Sequence, residues 1–324
     1  AVGQAVDEAP FEVFGVVKPE SDSARHQKEA FKATIENFGL RAFRQPMISM
    51  DPQRWLRVYE HCKKLGMDDE KSWRQTFRAM LASPKFLYRV EQDKRSTKAW
   101  AISSYEMATR LSYFLWGTMP DAELFRLAGE DKLQDDAVIT AQVARMLADP
   151  KARVLSETFA TQWLVLGPLR EGAGPDPSHY KDYTPELRES MLGEPVAFFH
   201  GLITENRSIC DLLDSDYTWV DERLGRHYGI GGGRGETFTK VKLSDRRRGG
   251  VTGMAAVHAV TSYPGRTSLV LRGAWVIDRL LDSPPPPPPP NVAQLPKEDS
   301  PKENLSLRER LALHRDQPAC ASCH

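Results

Sequence analysis

The sequence predicts an all-α protein, and three observations carry that expectation. Apolar residues recur at three- and four-residue steps, as in Phe31, Ile35, Phe38 and Ala42, which is the spacing of one helix face. Segment starts carry Ser, Asp or Thr with Pro or Glu close behind, the composition of helix N-termini. Residues 238–243 are the one stretch that alternates as a strand would.

Taken in order, residues 1–22 are punctuated by Val, Pro and Gly without a helical period and are expected to form an N-terminal arm. A helix follows from Ser23 and stops before Pro46. Asp51-Pro52 opens the next, with Trp55, Val58, Tyr59 and Cys62 as its apolar stripe and Gly66 as its stop. Asp68 or Asp69 opens a third, carrying Trp73, Phe77 and Met80 up to Ser83-Pro84. A short helix begins at Phe86, so residues 23–95 form a first helical domain.

Ser103 with Glu106 has the form of a capping box. The helix behind it is expected to end at Gly117, and Pro120-Asp121 starts another. Residues 135–148 and 151–166 read as a helical pair broken at Asp149-Pro150. Residues 167–183 are rich in Gly, Pro and Asp and read as a loop. Thr184-Pro185-Glu186 caps a long helix to about Ile203, and residues 208–228 read as two short helices around Tyr217-Thr218-Trp219. The second domain is therefore 101–230.

Gly231, Gly232, Gly233 and Gly235 make a loop rather than a dinucleotide fingerprint, since no strand precedes it and no helix follows closely. Residues 250–262 and 267–282 are apolar and expected to be helical, within a third segment, 231–283. Seven consecutive prolines occupy 284–290, a polyproline rod of roughly 20 Å at about 3.1 Å per residue. The linker runs over 284–304, and a last helix over 305–315 leads to the chain end.

Composition narrows the function classes. Of 324 residues, 40% are hydrophobic, enough for a sizeable core. Lys plus Arg and Asp plus Glu are 44 each, which argues against a general nucleic-acid binder. No apolar run approaches the roughly 18 residues of a spanning helix. The chain opens at Ala1 rather than Met, as expected of a processed, exported chain. No Ser-His-Asp arrangement, HExxH or P-loop is present.

The chemistry sits at the last five residues, Cys320-Ala321-Ser322-Cys323-His324. Two cysteines separated by two residues and followed at once by His are the attachment signature of haem c. Each thiol adds to a porphyrin vinyl group, and the imidazole then lies under the iron as axial ligand. Half of a zinc site or a redox dithiol are the alternatives. A zinc site wants a second ligand pair, and Cys62 and Cys210 are distant and form no CxxC. Those two are expected either as a disulfide or as buried single thiols.

The stretches FGLRAFRQPM, FRAMLASPKFLYRVE, SSYEMATRLSYFLWGTMPDAELFRLA, RMLADPKARVLSETFATQWL, TSYPGRTSLVLRGAWVIDRLLDSPPPPPPPNVAQLP and LRERLALHRDQPACASCH together resemble a known family. It comprises the large haem c proteins of planctomycete-type bacteria, built from consecutive domains of unknown function. The resemblance covers residue 30 to the end and implies export, covalent haem and redox work, with no settled reaction. Members usually continue beyond the CxxCH and often carry a further cytochrome domain before these. Here the usual Pro of the RTSP stretch is Leu269, and His258 stands at a usually aliphatic position.

The site expectations follow. Cys320 and Cys323 hold the haem, and His324 is the proximal ligand. Arg266 and Arg272 share a block with the motif and are candidates for the haem propionates, because Arg matches carboxylates with paired bonds. His258 is a candidate sixth ligand; its plainer reading is a core histidine bonded to a carbonyl. Met254, four residues earlier on the same helical face, is another; its plainer reading is core packing. Arg246, Arg247 and Arg248 read as a solvated turn or as a contact for propionates or an acidic partner. His61, His200, His227 and His314 read as surface or helix-end residues, and the pair His179-Tyr180 as loop packing.

Three functions fit. The first is an exported, periplasmic or extracellular c-type cytochrome passing electrons to a partner haem or assembly. The second is a haem peroxidase or oxidase with an open sixth position. The third is a structural subunit in which haem holds the chain end. A redox partner protein, another haem subunit, or a chain continuation is expected to complete the haem pocket.

Overall fold

The computed structural model describes residues 2–47, 51–91, 95–245 and 248–284, with 308, 309, 312 and 316. They fall into two units, Ala1–Val260 and Thr261–His324. The expected polyproline rod beyond Pro284, most of the helix at 305–315, and the haem motif lie outside the described residues. What is described is mostly helical, with a few two- and four-residue strands, so the all-α class holds.

The larger unit begins with a departure from expectation. Residues 1–22 contain helix α1 (Val2–Glu8) and a 3-10 turn at Phe11–Phe14. Val6 and Phe14 are buried in the first core. The segment is too short to show a period, and its order comes from tertiary contacts. Arg74 donates to the carbonyls of Val6 at 2.6 Å and Ala9 at 3.0 Å. These are the carbonyls a helix C-terminus leaves unsatisfied.

Helix α2 (Ala24–Phe43) starts at Ser23, whose hydroxyl accepts from the His26 N–H. Helices α3 (Asp51–Lys64) and α4 (Asp69–Leu81) pack together, with Asp68 capping the second. Phe31, Ile35, Trp73, Phe77 and Met80 fill the space between them. Phe31 stacks on Trp73 at 4.9 Å and Phe14 on Phe77 at 4.8 Å between ring centroids. The short α5 (Pro84–Leu87) closes this region, capped by Ser83.

Helix α6 (Ser104–Trp116) carries the expected capping box between Ser103 and Glu106, and Gly117 ends it in the left-handed conformation. Helices α7 (Ala122–Gly129), α8 (Asp136–Leu147) and α9 (Arg153–Trp163) follow. Leu115, Trp116, Leu124, Leu133 and Met146 form a second core. The Trp116 indole N–H donates to the Met146 carbonyl at 2.9 Å, so the one polar atom it buries is satisfied. The expected loop 167–183 contains one helical turn, α10 (Gly167–Arg170).

Helix α11 (Pro185–Thr204) is charged in its first turns, and from Met191 to Gly201 it is mostly apolar and largely buried, which places that part inside the unit. Residues 208–228 hold the expected pair of short helices, a 3-10 turn at Ile209–Leu212 and α12 (Glu222–Tyr228). What was not expected is the strand between them, β1 (Tyr217–Val220). It pairs antiparallel with β2 (Thr239–Lys242), Tyr217 opposite Lys242 and Val220 opposite Thr239. The aromatic and β-branched run Tyr-Thr-Trp-Val suits a strand, and its partner lies some twenty residues on, beyond the reach of local pattern. Gly233 in the intervening loop has φ +76, and a Cβ there would lie 2.2 Å from the Asp221 carbonyl carbon. The unit ends with α13 (Ala255–Val260), which is shorter than the helix expected over 250–262.

In the smaller unit, β3 (Ser262–Tyr263) and β4 (Arg266–Thr267) form a hairpin around Pro264-Gly265. Helix α14 (Leu269–Arg279) follows, with Ser268 as its N-cap.

Candidate functional site

The smaller unit positions both candidate propionate contacts. The turn at Pro264-Gly265 brings β4 back beside β3, so the Arg266 guanidinium lies 4.5 Å from the Tyr263 ring centre. Arg272 lies one turn into α14, and its Nε donates to the Thr261 hydroxyl at 3.4 Å. Both arginines are half-buried. Trp275, one turn further, packs inward. Cys320, Cys323 and His324 lie outside the described residues, as do Arg246, Arg247 and His314.

The candidate sixth ligands belong to the larger unit. Met254 is 1% exposed, directly ahead of α13. His258 is half-buried, and its Nε2 meets the Thr252 carbonyl at 2.9 Å. Since a carbonyl only accepts, that nitrogen carries the proton. Arg248 lies with its guanidinium 4.1 Å from the Tyr228 ring centre. His61 is exposed beside buried Cys62, and Cys62 and Cys210 are both free thiols, the latter exposed. His179 contacts Asp176 at 3.4 Å and Ser178 at 3.1 Å within its loop.

Behind Met254 lies a polar cluster that sequence reasoning missed. Glu194 on α11 is 1% exposed. The Thr218 hydroxyl of β1 donates to its Oε1 at 2.7 Å, and the Tyr228 hydroxyl of α12 donates to its Oε2. The Ala255 N–H of α13 donates to the same Tyr228 oxygen at 2.7 Å. Four elements therefore meet on one carboxyl. Burial pushes the Glu194 carboxyl up to about 7, against the two hydroxyl hydrogen bonds that favour its ionised form. Burial, and then the neighbouring Glu194 charge, push the Tyr228 phenol well above its ordinary range. One turn earlier on α11, the Ser190 hydroxyl donates to Asp221 at 2.6 Å, while Asp221 caps α12 through the Leu224 N–H at 2.7 Å. The signal available in sequence was an acid set in an apolar helix, MLGEPVAFF.

Among the described residues no group of three or more His, Cys, Asp or Glu side chains is arranged to hold a metal ion. No helix among them is long and apolar enough to cross a membrane.

These features define a mostly helical protein assembled from successive domains. Residues 30–91 match the protein of unknown function family DUF1595 (PSD5), residues 102–230 match DUF1592 (PSD4), and residues 248–324 match DUF1588 (PSCyt3). Three family models of unknown function, of the PSD and PSCyt series, thus match consecutive segments of the chain. Met254, His258, Arg266, Arg272 and the Cys320 to His324 motif all fall within the DUF1588 match. No curated protein and no solved structure matches the chain.

Proposed function

We propose that the chain is an exported c-type cytochrome subunit, periplasmic or extracellular, that passes electrons to a partner haem or assembly. The observation that carries this reading is the Cys320-Ala321-Ser322-Cys323-His324 motif at the end of a region matched by a family whose name denotes a cytochrome. In this reading Cys320 and Cys323 hold the haem by thioether bonds and His324 supplies its proximal nitrogen. Arg266 and Arg272, both half-buried, suit the propionates by charge and by their paired N–H donors. A bound haem supplies one-electron chemistry, with a potential set by axial ligand, burial and hydrogen bonding.

Two in-chain side chains are candidates for the sixth ligand: His258, half-buried with its Nε2 at the Thr252 carbonyl, and Met254, buried ahead of α13. A partner chain or chain continuation competes with both. The helical domains at 23–95 and 101–230 are the scaffold in this scheme, and 284–304 is a spacer.

Optical spectroscopy of the oxidised and reduced protein tests the reading. A six-coordinate low-spin spectrum indifferent to carbon monoxide and peroxide is expected for electron transfer. A five-coordinate spectrum that responds to either ligand would move the assignment to an oxidase or peroxidase.

A further inference from the structure

A cleft of about 350 Å³ opens within the larger unit where the end of α2, the α5 segment and the start of α6 meet. Its lining comes from three stretches singled out in the sequence, FGLRAFRQPM, LASPKFLYRVE and SSYEMATRLSYF. It therefore lies between the DUF1595 and DUF1592 matches, and domain junctions are a preferred place for ligand pockets. Nothing in the haem reading uses it.

Four cations, Arg44, Lys85, Arg89 and Arg110, face two carboxylates, Glu91 and Glu106. Their roles differ. Arg44 is 5% exposed and stands in the left-handed region at φ 60. It donates to the carbonyls of Lys85 and Tyr88 at 2.8 Å each and of Phe86 at 3.2 Å. This guanidinium is consumed in fixing the backbone that presents Lys85 and Arg89. Arg110 is held by a two-bond pair with Glu91, both at 2.6 Å. Glu106 is committed to the Ser103 cap. Arg89 differs from the others: it is exposed, lies 5.1 Å from the Tyr113 ring centre, and makes no ion pair among the described residues. The walls between these charges are Phe43, Val90 and Tyr105.

We propose that this cleft binds a small organic anion bearing two or more carboxylates, with Arg89 and Lys85 making the charged contacts and Phe43 and Tyr105 flanking its carbon skeleton. A strained arginine whose two terminal guanidinium nitrogens are held by backbone carbonyls beneath a concave basic surface is the arrangement of a preorganised site, because backbone strain persists where the surroundings over-determine it. The excess of cations selects an anion, and the apolar walls select an organic one over a bare inorganic ion.

Calorimetric titration of the full chain with citrate, at ionic strength held constant with chloride, tests the proposal. Saturable one-to-one binding is expected. Arg89→Ala and Lys85→Ala should each weaken it at least tenfold, with unchanged far-ultraviolet circular dichroism and melting temperature in the absence of citrate. Inorganic phosphate should bind at least tenfold more weakly than citrate. No saturable binding, or the same affinity in both variants, would overturn the site. Equal affinity for phosphate and citrate would overturn the organic part of the assignment.

Discussion

The two units solve the burial problem to different degrees. The larger one joins two hydrophobic clusters to a central helix, α11, and a carboxyl buried under four elements. In the smaller unit Trp275 is the one large apolar side chain buried among the described residues, while Leu269, Val270 and Leu281 are each half or more exposed. Among the described residues, the buried apolar side chains are therefore concentrated in the larger unit. The comparison teaches that the sequence positions that hold the fold and those proposed to carry redox chemistry are largely separate. Substitutions should separate them too.

The largest expected effect is at the first core. Phe77→Ala removes a fully buried ring stacked on Phe14, and a loss of about 3–5 kcal/mol is expected in urea unfolding. Ionisable burial comes next. The Glu194 carboxyl is raised from its unfolded range near 4.5 to about 7. The folded state therefore holds the extra proton between those pH values. The contribution is full below pH 4.5 and is lost as pH rises through 7, by about 3 kcal/mol in all. Unfolding free energies measured at pH 5 and 8 should show that fall, and Glu194→Gln should flatten it. A wild-type slope unchanged in the variant would place the titration elsewhere.

A smaller effect is expected at the start of α6. Ser103→Ala breaks the capping box with Glu106, and a loss of about 1 kcal/mol should appear as a lower melting temperature. The smallest belongs to the smaller unit. Ile277→Ser, on the exposed side of α14, should change stability by less than about 0.5 kcal/mol. A larger loss would mean that this face is covered, and would blunt the contrast between the units.

Much of this was legible in the sequence. Helices announced by a cap and a period, such as those starting at Ser23, Asp68, Ser103, Asp121 and Thr184, occur as expected because their signals are local. Order in α1 was not legible, because it depends on Arg74 from α4. Strand β1 was not legible either, because its ladder is made with a distant segment. Of the proposed haem site, Cys320, Cys323 and His324 are candidates from spacing, and Arg266 and Arg272 from the resemblance. Glu194 could not be read, since one acid in an apolar helix does not reveal that Thr218, Tyr228 and Ala255 converge on it. The cleft at Arg89 was hidden for the same reason: three stretches far apart in sequence supply its lining.

The central claim is that Cys320, Cys323 and His324 carry a covalent haem. The direct measurement is the intact mass and haem stain of the denatured chain, produced in a host that matures c-type cytochromes. Haem should survive denaturation in the wild type, with the mass raised by one haem, and be absent from a Cys320→Ser, Cys323→Ser variant. An unmodified wild-type mass, in a host that matures a control cytochrome, would contradict it.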